Sequence, residues 1–170
     1  ETAETTPFTD VNMDRYYGNA IAWAAENGIA KGVTDTRFAP DAAVTREQMV
    51  TFLYRYAKAS GADVSKQADL SQYRDVKQVS EYAEEAMAWA VGSGILQGME
   101  QNLLAPRGTA TRAQAAAMIG RTQEKGYAIV DLTFSDTASI PAYATYYIQT
   151  MAAQGVISGY ADGTFQPGAN

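Results

Sequence analysis

Thr45-Arg46-Glu47-Gln48 returns as Thr111-Arg112-Ala113-Gln114, and the rest of the chain takes its place around this pair. Each copy stands five residues after a proline, Pro40 or Pro106, and opens an apolar run of helical period. A Thr followed three residues later by Gln is a capping box. The hydroxyl takes an orphan backbone N–H and the amide reaches back to the cap's own N–H. Each stretch therefore reads as a helix N-terminus with an Arg on its first turn. A fixed cation at that end opposes the helix dipole by about a few tenths of a kcal/mol. The placement makes sense if an anion sits between the Arg and the free N–H groups, because helix N-termini are ready anion sites. The alternative is an Arg stacked on a neighbouring aromatic or paired with a carboxylate.

Working outward, the flanking sequence repeats as well. Phe8-Thr9-Asp10-Val11, Tyr73-Arg74-Asp75-Val76 and Phe134-Ser135-Asp136 open three copies, 65 and 61 residues apart. Tyr16, Tyr82 and Tyr143 follow, then Ile21, Met87 and Ile148, then Gly28, Gly94 and Gly155. Gly32, Gly98 and Gly159 come next, and Pro40, Pro106 and Pro167 after them. The copies span 1–62, 63–126 and 127–170 of a single 1–170 domain. Tyr17, Ala20, Ile21, Ala24 and Gly28 share one face of a 3.6-residue period, so the first element of each copy is a helix. The three glycines sit where an αL helix stop is expected. Phe38, Leu104 and Phe165 hold one register in the following loops and plug the core. Met49, Phe52, Leu53 and Tyr56 are expected to be buried along the second helix, matched by Ala115, Met118, Ile119 and Thr122. The reading is thus all-α, built of helix-loop-helix units.

By this register the third copy reaches its Thr-Arg pair at about residue 172, past Asn170. It is expected to be incomplete, exposing Tyr147, Ile148, Met151 and Phe165 to a partner or a second copy. Glu1 in place of Met suggests a mature protein or an excised fragment. Of the linkers, the one from about Ser60 to Gln72 is polar. The one from about Lys125 to Thr133 carries Ile129, Val130 and Leu132 and is expected to pack.

Composition limits the function. A net charge of -6 disfavours generic binding to nucleic acid or an acidic membrane, so an anionic ligand must be held locally. No apolar run approaches the roughly 18 residues of a membrane span. With neither His nor Cys, Cys–His and Ser–His nucleophiles are excluded, as are most zinc sites. Asp and Glu are plentiful, but no single pair stands out for glycoside hydrolysis. No cofactor or metal is expected, and the chain does not read as an enzyme. Candidate ligand contacts are Arg46 and Arg112 with their caps Thr45 and Thr111, together with Asp10, Asp75 and Asp136, and Trp23 and Trp89. The Asp residues read otherwise as Asx-turns or helix caps. The Trp pair reads otherwise as core or half-buried packing.

The motifs Phe-x-Asp-Val, Tyr-x4-Ile, Gly-Ile-x2-Gly, Gly-Tyr-x-Asp-Gly-Thr-Phe-x-Pro and Thr-Arg-x-Gln together resemble the S-layer homology family. The resemblance implies a pseudo-threefold spindle of three prongs around a central helical bundle. It also implies non-covalent anchoring of a bacterial surface protein, with a secondary wall polysaccharide, typically carrying pyruvate ketals, or in some lineages a peptidoglycan-linked polymer, held between prongs. Gln48 and Gln114 replace the family's Glu, Glu47 replaces its small Ala, and Tyr16 and Tyr82 replace a frequent Trp. On this reading a ketal carboxylate sits at the capped helix N-terminus beside the Arg. Arg46→Ala and Arg112→Ala should then weaken wall binding while leaving stability nearly unchanged. A self-assembly module whose repeats are mainly structural is the competing reading.

Overall fold

The computed structural model describes residues 5–123 and 128–170. Lys125 to Tyr127, at the start of the second linker, lie outside the described residues, as does Glu1. Five α-helices are present among the described residues, and no extended strand: α1 Gly18–Glu26, α2 Arg46–Ala59, α3 Glu84–Gly92, α4 Arg112–Thr122 and α5 Ala142–Ala153. The first helix of each copy is α1, α3 or α5, and the second is α2 or α4.

Helices pack across copies. The first helix of copy two, α3, lies on α2 of copy one, and α5 of copy three lies on α4 of copy two. Two cores result. In one, Val50 and Tyr54 of α2 meet Met87, Trp89 and Ala90 of α3 over the Leu104 plug. In the other, Ala113, Ala116 and Ala117 of α4 meet Ala144, Ile148 and Met151 of α5 over Phe165. Gly120 permits the second contact, because a Cβ there would stand 2.5 Å from the Tyr147 ring. A smaller cluster of Phe8, Val11 and Ile21 seats α1 on its own copy's loop. Gly28, Gly94 and Gly155 all stop their helices at positive φ, where a side chain would be strained.

Three expectations need correction. The buried face of α2 is Val50, Thr51, Tyr54 and Ala57 with Arg46 and Glu47. It is rotated from the expected one, and Tyr56 is on the outside. The reason is that α2 is gripped from both sides, by α3 and by the loop of copy two, so its charged first turn is buried too. In α4 the buried set is Ala113, Ala116, Ala117 and Met118. Second, Ile148, Met151 and Phe165 are buried rather than exposed, since α4 covers them. Third, Ile129 and Val130 are exposed, and only Leu132 of that trio packs against the second core.

Candidate functional site

The capping boxes form as expected. Thr45 Oγ1 accepts from the Gln48 N–H at 3.3 Å, and Gln48 Oε1 accepts from the Thr45 N–H at 2.9 Å. Thr111 and Gln114 make the same pair, both bonds 3.3 Å.

The next two amides of each helix are not free. The Arg46 N–H donates to Gly108 O and the Glu47 N–H to Pro106 O, each at 2.9 Å. In α4 the Arg112 N–H donates to Ala169 O at 2.8 Å and the Ala113 N–H to Pro167 O at 3.0 Å. The following amide of each helix, Met49 or Ala115, already bonds the cap carbonyl. A carboxylate at these helix N-termini would therefore have to displace backbone carbonyls. The expected anion site at the capped N-terminus is closed by the loop of the following copy.

The arginines complete that closure. Arg46 Nε donates to Leu104 O at 2.9 Å and Nη2 to Gln97 O at 3.0 Å, with the residue only 4% exposed. Arg112 Nε donates to Phe165 O at 2.9 Å and Nη2 to Ser158 O at 3.3 Å. Its guanidinium also lies over the Tyr160 and Phe165 rings, 4.7 Å from each centroid. Burial lowers the Arg46 pKa from the ordinary arginine value, with Tyr143 and Asp75 opposing. Both arginines are thus first of all joints between copies.

The aspartates hold the loops that receive these joints. Asp75 Oδ1 and Oδ2 accept from the Leu104 and Ala105 N–H groups at 2.9 and 2.7 Å. Asp10 grips Phe38 and Ala39 the same way, and Asp136 grips Phe165 and Gln166, every bond 2.8 Å. In each case the second amide belongs to a residue at positive φ, directly before the proline: Ala39, Ala105 or Gln166. The carboxylate holds a backbone turn that non-glycine residues seldom adopt. The charged form is favoured by these bonds, so the Asp10 and Asp136 pKa values fall below the ordinary carboxylate value.

Trp89 is in the core against Tyr54, with ring centroids 5.4 Å apart, so no polymer reaches it in the folded chain. Trp23 is 41% exposed beside Tyr56. Neither is in the grooves described next.

Two grooves run beside the joints. The larger, about 750 Å³, lies between α4, the loop after Leu96 and Tyr143, and Arg46 and Arg121 both line it. The smaller, about 500 Å³, lies between α2, the loop after Lys31 and Tyr82, with Arg55 on its wall. Arg55 and Arg121 were missed in the sequence, yet each stands nine residues after Arg46 or Arg112. Each spends Nη1 on the carbonyl after a helix stop, Ile29 O at 3.2 Å or Ile95 O at 3.1 Å. Arg121 also reaches Gln97 Oε1 at 3.2 Å. The Tyr register, as Tyr82 and Tyr143, therefore reaches the grooves where the tryptophans do not, with Phe38 and Phe52 also on the smaller groove. Guanidinium N–H groups from two successive copies thus converge on one groove of an acidic chain. That is a place to fix a carboxylate against an aromatic ring.

The repeat seen in these joints matches the family model for the S-layer homology domain at residues 7–50, 72–116 and 133–170. The chain belongs to the S-layer homology family. It is 35% identical over 120 residues to a surface-layer 125 kDa protein of Lysinibacillus sphaericus, covering 69% of this chain and 10% of that protein. It is 31% identical over 162 residues to a cell surface protein of Thermoanaerobacter kivui, covering 91% of this chain and 20% of that one. It is also 34% identical over 125 residues to Exoglucanase XynX of Acetivibrio thermocellus, covering 74% of this chain and 11% of that enzyme. The chain thus spans a tenth to a fifth of the length of these relatives. S-layer homology domains are non-catalytic anchoring modules of the bacterial cell surface, and the relatives named as enzymes carry one as a separate part. No helix among the described residues is long and apolar enough to cross a membrane.

Proposed function

We propose that this S-layer homology domain anchors its protein to the bacterial cell wall by holding an acidic, pyruvylated wall polysaccharide in the larger groove. The single observation that carries the reading is the convergence of Arg46 and Arg121, from two copies, beside the exposed ring of Tyr143. Arg46 keeps Nη1 and one Nη2 hydrogen beyond its two loop bonds, so a ketal carboxylate has donors to meet. The sugar ring packs on Tyr143, whose position edges the same groove. One charge-assisted contact of this kind contributes about 1.5–3 kcal/mol.

The test is sedimentation of the chain with purified bacterial sacculi, before and after mild acid that strips pyruvate ketals. Binding should be lost on stripping, and Arg121→Ala should weaken it in the untreated walls. Binding that survives stripping moves the ligand to a neutral sugar or to peptidoglycan.

Self-association is the second reading. It rests on the exposed aromatics around α1: Tyr16, just before that helix, is 94% exposed, and Trp23 of α1 lies beside Tyr56 of α2. A chain that sediments as a monomer at high concentration removes it.

A further inference from the structure

Glu47 has no role in the joint as the two copies share it, since its counterpart is Ala113. It is nevertheless 4% exposed and accepts three hydrogen bonds from the start of copy two. The Ser80 N–H donates to Oε2 at 3.0 Å, Ser80 Oγ to Oε1 at 2.8 Å, and the Tyr82 hydroxyl to Oε1 at 3.2 Å. The whole set is replaced together in the next copy. Pro141, which has neither N–H nor hydroxyl, stands where Ser80 does, and Tyr143 has no carboxylate behind it. A carboxylate accepting three bonds is held in one place.

We propose that Glu47 is a positioning residue for glycan recognition: its carboxylate pins the Tyr82 ring on the wall of the smaller groove. The inference rests on the anchoring reading above and extends the wall polymer's contact from the larger groove to the smaller one, where it adds a chain-specific residue. Tyr82 is half-exposed and lines the groove, so its ring is available to a sugar while its hydroxyl is committed. A ring already held in place loses no rotamer freedom when a ligand packs on it. Tyr143 in the larger groove must be ordered by the ligand itself. The phenol bears the mark of this contact, its pKa pushed up to about 12 by burial and by the Glu47 charge and bond, with Arg55 and Arg107 opposing.

The test is the affinity of variants for sacculi of Lysinibacillus sphaericus that retain their wall polysaccharide. Tyr82→Phe keeps the ring, removes the pin and leaves a half-exposed position intact. It should weaken binding about fivefold, the cost of freeing one side chain. Glu47→Ala should do the same, but should cost nothing further in a Tyr82→Ala background. Glu47→Gln, whose Oε1 can still accept from the Ser80 and Tyr82 hydroxyls, should stay within about twofold of the parent, while the Tyr82 phenol followed by NMR titrates at lower pH. Parental affinity in Tyr82→Phe, or a Glu47→Ala loss that persists without the Tyr82 ring, overturns the proposal. If those variants bind like the parent while Arg121→Ala does not bind, only the role of Glu47 falls. If the parent itself does not bind, the anchoring reading falls and this falls with it.

Discussion

The joint between α2 and the loop of copy two and the joint between α4 and the loop of copy three share a plan but differ in burial. Both use a capped Thr, two helix amides on loop carbonyls, and an Arg on the loop backbone. In the first joint Arg46 is buried, Asp75 is 7% exposed, and Glu47 adds a latch to Ser80 and Tyr82. In the second, Arg112 is only half-buried and makes one long bond of 3.3 Å, and its charge rests over two aromatic rings. The same four-residue motif thus makes a buried joint in one place and a more exposed one in the other. A buried donor must be paired, whereas water can replace a partly exposed bond.

The largest difference should appear at the loop clamps. Asp75→Ala orphans two amides in the buried loop and should cost about 3 kcal/mol in chemical denaturation. Asp136→Ala exposes its amides to water and should cost clearly less. Equal losses would mean that burial does not separate the joints.

The caps come next, and here the joints should agree. Thr45→Ala and Thr111→Ala should each lose about 1 kcal/mol, read from the same denaturation curves. A large difference between them would place the asymmetry in the helix ends and not in the arginines.

The smallest effect is on acid stability. Asp10 and Asp136 have depressed folded pKa values, the first cause being the backbone N–H of Phe38 or Phe165. Their contribution is present above the ordinary carboxylate pKa near 4 and disappears as pH falls through the lower folded values. The melting temperature should be flat from about pH 7 to 5 and decline below about pH 4. Asp10→Asn with Asp136→Asn should shrink that decline.

Much of this was legible in the sequence. The helices α1 to α5, the glycine stops of α1, α3 and α5, both capping boxes and the Leu104 and Phe165 plugs follow from local period and turn chemistry, whereas Phe38 is only partly buried, at the edge of the small α1 cluster. What stayed hidden was contact across copies. Nothing local says that Pro106 and Gly108 carbonyls fill the N-terminus of α2, which lies some sixty residues earlier in the chain. The sequence leaves each Arg open between an anion and an aromatic or carboxylate neighbour. Arg112 does stack on aromatic rings, but the partners of Arg46, Leu104 O and Gln97 O, are backbone atoms without a sequence signature. The buried face of α2 was misplaced for the same reason, since a helix gripped on two sides buries charged residues that periodicity assigns to solvent. Arg55 and Arg121 do carry a sequence signal, their fixed nine-residue offset from Arg46 and Arg112.

The central claim is that the Thr-Arg stretch is an inter-copy joint before it is a ligand site. Denaturation of Arg46→Ala beside Arg112→Ala tests it most directly. The account predicts a loss of about 3 kcal/mol for Arg46→Ala, two charge-assisted bonds with the buried Leu104 carbonyl left unpaired, and about 1 kcal/mol for Arg112→Ala. An Arg46→Ala chain as stable as the parent, with wall binding lost, would contradict it.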